Sequence, residues 1–309
     1  MTISEEENMT QISEIVLLGF GDLHGLQFLL FGIFLTIYVM TVVANFIILA
    51  VVSADCCLHT PMYFFLGHFS FLEIGYTTTI EPIMLRTLLS AHVPISFFAC
   101  ACQFYFFASL AATECFFLAV MSYDRYIAIC KPLHYSCIMN FWGCFQLAVA
   151  SWLAGFLAPI LHMILIFRSS FCSANEIDHF FCDLKPIMKL ACSNTQVVEV
   201  TSFICTSLFA LVPFLLTLAS YIRIICTILG ISSTTGKQRA FSTCSSHLTV
   251  VSLYYGTLGI VYGIPSIPRY EGVLKLFSLL YTVFTPAANP IIYTLRNKDV
   301  KVSLRKLVQ

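Results

Sequence analysis

The sequence predicts an all-α membrane protein, a bundle of seven transmembrane helices with its N-terminus extracellular and its C-terminus cytoplasmic. Three observations predict the bundle. Of 309 residues, 59% are hydrophobic and only 10% are charged, whereas an ordinary soluble domain runs at roughly 45–50% apolar and about 25% charged. So few charges cannot cover the surface of a soluble protein this long, and with a net charge of zero the same composition excludes disorder, collagen, coiled coil and nucleic-acid binding. Seven stretches nearly free of Lys, Arg, Asp and Glu each reach the length of about 20 residues that a spanning helix needs. Their apolar residues are continuous rather than alternating, which argues against a closed β-barrel.

Taken in order, residues 1–25 read as an extracellular segment, acidic at Glu5–Glu6–Glu7. It carries the sequon Asn8-Met9-Thr10, which makes Asn8 a glycosylation site. The first 20 residues are acidic rather than a basic stretch before an apolar core, so the first spanning helix is expected to direct insertion itself. The transmembrane domain is expected over 26–295. Helix one, about 26–52, lies in the run between Asp22 and Asp55. Helix two, about 60–86, is interrupted by Glu73 and Glu81, and helix three, about 96–125, contains Glu114. The run between Lys131 and Arg168 holds a loop and helix four, about 140–167. Helices five, six and seven fall at about 197–229, 238–263 and 273–295, and 296–309 is a short cytoplasmic tail.

Seven crossings separate the termini. With the C-terminus inside, the inner segments hold Arg125, Lys131, Arg223, Lys237, Arg239, Arg296, Lys298, Lys301, Arg305 and Lys306 against three acids, Asp55, Asp124 and Asp299. The excess of Lys and Arg in short inner loops favours this orientation. The 14 cysteines divide by depth. Cys115, Cys144, Cys205 and Cys226 sit in or near spans, where a thiol is most often a small hydrophobe. Cys56, Cys57, Cys130, Cys137 and Cys244 lie at the inner edge and are expected to be reduced. Cys100, Cys102, Cys172, Cys182 and Cys192 lie in oxidising territory, an odd number whose pairing the spacing leaves open.

No soluble-enzyme motif is present. Gly230-Ile231-Ser232-Ser233-Thr234-Thr235-Gly236-Lys237 imitates a phosphate loop, but it has five residues between its glycines and Gln238 where Ser or Thr should follow the lysine. A polar turn between helices explains it. The informative residues are Glu73 and Glu114, acids at membrane depth that cost on the order of 2.5–3.5 kcal/mol each if left charged at the bilayer centre. They are expected to face the bundle interior with Asn45 and Asn289 as neutral partners. Three readings are open: polar glue between helices, a cation site that tunes a conformational equilibrium, or the ion path of a seven-helix transporter or channel. A transporter often shows internal repeats, and none is convincing in this chain.

Four segments carry a family resemblance: Leu58-His59-Thr60-Pro61-Met62-Tyr63-Phe64-Phe65-Leu66, Met121-Ser122-Tyr123-Asp124-Arg125-Tyr126, Ala240-Phe241-Ser242-Thr243-Cys244-Ser245-Ser246-His247 and Pro286-Ala287-Ala288-Asn289-Pro290-Ile291-Ile292-Tyr293. In this order and spacing they resemble the olfactory receptors of the rhodopsin-like (class A) G-protein-coupled class over nearly the whole chain. The resemblance implies that Asp124 and Arg125, with Tyr126, form an ionic switch whose arginine is freed toward a G protein. Tyr221, His247, Asn289, Pro290 and Tyr293 join the same switch and coupling set. Glu73, Glu114, Asn45 and Asn289 fall where the class binds sodium, the one cofactor implied. The resemblance also implies the bridges Cys100–Cys182 and Cys172–Cys192, with Cys102 left over. The sixth helix departs from the wider class in reading Tyr254-Tyr255-Gly256 where a C-W-x-P kink is usual.

By the same resemblance the ligand pocket lies in the outer half of the bundle. On helix three it takes Phe104, Phe107, Ala108, Ala111 and Ala112, spaced to share one face. Around them stand His162, Ser202, Cys205, Thr206, Phe209, Tyr255, Leu258, Gly259, Tyr262, Leu279 and Thr282. This lining is mostly apolar with a few hydroxyl and sulfur groups, suited to a small volatile odorant. No acid stands on the helix-three face, which argues against an amine held by a salt bridge. The partners implied are an odorant, a stimulatory olfactory-type G protein that raises cyclic AMP, and membrane lipid. The implied location is the plasma membrane, in the sensory cilia of olfactory neurons.

Overall fold

A computed structural model of the protein describes residues 13–21, 23, 25–171, 175–192, 196–230, 233–263, 271–296 and 298–308. The helices are α1 (Gln27–Ala54), α2 (Pro61–Leu89), α3 (Phe97–Cys130), α4 in two pieces (Phe141–Leu157 and Ile160–Arg168), α5 (Gln196–Gly230) and α6 (Thr234–Gly263). They continue with α7 (Glu271–Leu279, a π turn at Leu280–Phe284, then Thr285–Arg296) and α8 (Lys298–Val308). The ends follow local chemistry. Pro61 opens α2 at a position whose N–H has no helical partner anyway. Ser96 caps α3 by accepting from the Ala99 N–H (3.2 Å), and Asn140 caps α4 by accepting from the Gly143 N–H (2.8 Å). Pro159, which cannot donate, divides α4. In α7 the π turn frees backbone carbonyls, and the Thr285 hydroxyl donates to one of them, Leu280 O (2.8 Å).

Among the described residues, five helices are long and apolar enough to cross a membrane, at Gln27–Ala54, Phe97–Cys130, Phe141–Arg168, Gln196–Gly230 and Gly272–Thr294. The other two long helices are diluted with polar residues: α2 carries Glu73, Thr77, Thr78, Thr79, Glu81 and Arg86, and α6 opens on Lys237, Gln238 and Arg239. The outer faces of α1 and α5 expose Phe28, Met40, Phe46, Phe203, Leu211 and Leu215, an apolar girdle that water would not tolerate. α3 is the buried axis, with Phe117 and Leu118 inaccessible.

At one end of the bundle stands a small sheet that an all-helical reading did not include. β1 (Glu14–Leu17) pairs antiparallel with β2 (Val93–Ser96), Glu14 opposite Ser96, and parallel with β3 (Glu176–Ile177), Val16 opposite Glu176. Ile15 and Leu17 are fully buried while Glu14 is exposed, the alternation expected of a half-buried strand. The sheet gathers chain from before α1, from between α2 and α3, and from between α4 and α5. Each of those helix pairs therefore leaves one end of the bundle and returns to it.

The other end carries α8, expected only as a tail. Its Val300 and Ser303 are buried, and Lys306 reaches Asp55, just beyond α1, at 3.6 Å. Close contact requires glycine at several positions. A Cβ on Gly155 of α4 would overlap the side chain and backbone of Thr113 on α3, a close approach of the kind small residues permit between membrane helices. Gly19, at φ +57°, leads the chain from β1 over Thr87, where a Cβ would collide.

Candidate functional site

The residues singled out by the sequence fall into three layers along the bundle. In the layer at the sheet end, Cys100 on α3 is bonded to Cys182, with Cα atoms 5.5 Å apart. Gln103, one turn on, reinforces the bridge: its Oε1 accepts the Cys182 N–H (3.0 Å) and its Nε2 donates to Thr79 O on α2 (2.9 Å). Sequence reading missed this glutamine, although a polar side chain one turn from a bridge cysteine is a usable signal. Cys192 is also disulfide-bonded, while its expected partner Cys172 lies outside the described residues, as does Asn8. Cys102 is free.

The loop after α4 folds His179, Phe180 and Phe181 inward. Phe180 stacks on Phe20 (centroids 5.0 Å) and Phe181 meets Phe107 of α3 edge-on (5.1 Å). Lys275 of α7 donates to Asp178 beside them (2.6 Å). Burial holds the His179 imidazole down at about 3, with Lys275 and Lys189 acting in the same direction and Asp178 against it. His179 is therefore neutral.

Beneath this lid lies the expected pocket lining. Phe104 and Phe107 are buried, and Ala108, Ala111 and Ala112 are half-buried on the same face. Phe104 meets His162 of α4 (6.4 Å), while Phe107 meets Tyr76 of α2 (5.6 Å) and Tyr281 of α7 (6.2 Å). The buried His162 ring approaches the Ala158 and Ser202 backbone without a hydrogen bond of normal geometry, and the Ser202 hydroxyl is likewise buried and unsatisfied among the described residues. Cys205 and Phe209 are half-buried and Thr206 is exposed. Phe209 packs toward Phe116 (6.4 Å). On α6, Tyr255 packs on Phe214 (4.9 Å) and donates to Cys115 O (3.5 Å); Leu258 is half-buried and Gly259 exposed. Leu279 and Thr282 of α7 are buried. The Tyr262 side chain lies outside the described residues. Tyr254, not assigned to the pocket by sequence, donates to Ala111 O (2.7 Å) and accepts from the Cys115 thiol (3.5 Å), tying α6 to α3. Two cavities open elsewhere. One, of about 330 Å³, runs along Ser13, Phe97, Ile166 and Phe171, and the other, of about 450 Å³, along Ser245, Thr249 and Leu253.

The middle layer holds Glu73 on α2 and Glu114 on α3, both buried and close enough to feel each other's charge. Asn289 of α7 donates its Nδ2 to Glu73 Oε1 (2.5 Å). The second Glu73 oxygen and Asn289 Oδ1 are buried without hydrogen-bond partners among the described residues. Two orphaned oxygens beside a second carboxyl fit a hard cation, which takes oxygen ligands. Asn45 instead donates to Thr41 O within α1 (3.0 Å), so no described hydrogen bond brings it to the pair.

At the α8 end, Arg125 lies 3.4 Å from Asp124, whose other oxygen accepts from the Tyr135 hydroxyl (2.9 Å). Tyr135 arrives because the 3₁₀ turn Pro132–His134 folds the chain back beneath α3. Its burial, followed by the Asp124 charge, raises the phenol above its ordinary range. Across from Arg125, the Tyr221 hydroxyl of α5 is hydrogen-bonded with His247 Nδ1 of α6 (2.5 Å), and the two rings stack. Tyr126 packs against the cluster of Tyr221, Ile224, Ile228 and Cys244. Tyr293 is buried with its hydroxyl unpartnered among the described residues, its ring against Phe69 and Pro290 one turn before it inside α7. A carboxylate beside an arginine at a bundle end thus stands near a buried tyrosine–histidine pair on two other helices.

Comparison with known proteins agrees in extent. Residues 34–309 match a family model described as olfactory receptor. Among human proteins, the chain is similar to Olfactory receptor 11L1, 48% identical over 305 residues covering 99% of this chain and 95% of that one. It is 50% identical to Olfactory receptor 10AG1 over 295 residues, 96% of this chain and 98% of that protein. With Olfactory receptor 10A4 it shares 50% identity over 303 residues, 98% and 96% of the two chains.

Proposed function

The chain belongs to the olfactory receptor family of odorant-sensing G-protein-coupled receptors, which are not enzymes, and from that premise we propose that it binds a small, mostly apolar volatile in the outer half of its bundle and activates a stimulatory G protein, raising cyclic AMP. The sheet end then faces outside and α8 faces the cytoplasm, as the basic inner loops require. The working location is the plasma membrane, in olfactory cilia.

The observation that carries the reading is the hold on Arg125. Asp124 binds the guanidinium while Tyr135 occupies its second oxygen, so the arginine is restrained by one weak ion pair rather than locked. A ligand lodged among Phe104, Phe107, His162 and Tyr255 presses on both α3 and α6, which Tyr254 and Tyr255 join through Ala111 O and Cys115 O. Relative motion there is transmitted down α6 to His247 and Tyr221, opposite Arg125. A ligand that binds better to the state with Arg125 released shifts the population toward it. A sodium ion, where bound, would be held by Glu73, Glu114 and Asn289 and would supply positive charge to the buried acids, favouring the restrained state.

The test is a chemically diverse odorant panel on cells expressing the receptor, read as cyclic AMP. At least one apolar volatile should raise it, and Arg125→Ala at equal surface density should abolish the response. Normal signalling by a surface-expressed Arg125→Ala variant, or an odorant current independent of G protein, overturns the reading.

A further inference from the structure

We propose that Asp55, Cys56 and Cys57 form a site for a thiol-seeking divalent cation such as zinc, at the junction of the first inner loop with α8. Their ligand atoms, one carboxylate oxygen and two thiol sulfurs, all lie within 4.8 Å of one another, and no other three His, Cys, Asp or Glu side chains converge in this way among the described residues. Two thiolates on a tetrahedral zinc, with bonds of 2.3 Å, stand about 3.8 Å apart. Both cysteines are exposed and free, so rotation of their side chains closes the difference.

The backbone beneath them is already fixed. Cys56–Leu58 is a 3₁₀ turn whose Leu58 is buried; Asp55 Oδ1 accepts the Cys57 N–H (3.0 Å), and Asp55 O accepts the Leu58 N–H (2.9 Å). Two thiolates with one carboxylate form a donor set that suits zinc better than magnesium or calcium. Three protein ligands leave the fourth position to water. Binding releases the two thiol protons to solvent as two sulfur–metal bonds form. Exposed Cys137 lies outside this cluster and serves as a control.

The site is shared with α8. Asp55 Oδ2 lies 3.6 Å from Lys306 Nζ, and the Ser303 hydroxyl approaches the same carboxylate. An ion that takes the carboxylate competes with both contacts and loosens α8 from the loop. The Lys306 partner is exposed, so the contact being displaced is weak, while its positive charge opposes the ion. Lys306→Gln should therefore tighten binding.

Full-length receptor in nanodiscs, titrated with Co²⁺ as a coloured stand-in for zinc, should develop a thiolate-to-cobalt charge-transfer band that Zn²⁺ abolishes. The band should vanish in Cys56→Ser/Cys57→Ser and persist in Cys137→Ser. In wild-type protein, which requires no variant to fold, Zn²⁺ should protect Cys56 and Cys57 but not Cys137 from maleimide. A band that survives the double substitution, a folded wild type without a band, or equal protection of all three thiols overturns the site.

Discussion

At Gly155 the fold has no room for a methyl group, because the Thr113 side chain and backbone already occupy the place a Cβ would take. α3 and α4 are pressed together there, and the Tyr105 hydroxyl, donating to Phe156 O (3.1 Å), fixes the same contact from the other side. Overpacking a tight core typically costs about 1–3 kcal/mol, and this contact is with backbone, which yields least. Gly155→Val is expected to lower the melting temperature of purified receptor and its delivery to the cell surface, with Gly155→Ala milder. An unchanged melting temperature for the valine variant would show that the helices separate freely. His179 offers a second residue-scale test, with a definite sign. Above its ordinary value near 6.5 it is neutral whether the loop is folded or released; burial keeps the folded group neutral down to about 3. As pH falls through that window only the released loop takes a proton, so the folded loop loses stability. Melting temperature should drop between pH 7 and about pH 5, and His179→Gln should flatten the slope. Parallel slopes in the two proteins would assign the effect to another group.

Among the elements, the loop carrying Cys182 is held to α3 by the Cys100 bridge and the Gln103 side chain. Loss of a native bridge in a small extracellular fold typically costs about 2–5 kcal/mol, and Gln103 alone does not replace it. Cys182→Ser is expected to keep the receptor from the surface, as surface staining against total protein would measure; undiminished staining would mean that the sheet suffices. The helices themselves were legible, because a membrane demands long runs nearly free of charge and α1, α3 and α5 have them. The break at Pro159 was legible in principle, since a proline inside a helical run removes a donor. The π turn in α7 was not, because Leu280–Phe284 differs from its neighbours only in how its carbonyls are satisfied. Nor was Tyr135 as partner to Asp124: a tight turn brings them together across 11 positions, and no local pattern marks such a pair. The proposed switch and pocket residues rest on resemblance to a family, as periodicity alone cannot tell a pocket wall from helix packing.

For the molecule as a whole, the buried acids connect the two ends of the bundle. Glu73 and Asn289 join α2 to α7, and Glu114 sits on α3 between the pocket face and Arg125. If this layer holds sodium in the restrained state, the ion is a ligand with a preference between conformations. Glu114→Gln keeps the shape and removes a charge, so basal and odorant-driven G-protein turnover should lose their response when sodium replaces a large inert cation at constant ionic strength. Equal sodium dependence in wild type and variant would reduce the acids to polar glue. The sheet at the other end bears on how the chain is made. β1 lies only a few residues from the first helix, yet Asn175 donates to Glu14 O across 161 positions of sequence. During synthesis β1 can pair with β2 once α2 has been made, but its other edge has no partner until the loop after α4 emerges. A ribosome stalled between β2 and β3 would therefore leave one edge of β1 open, a place for chaperones to recognise.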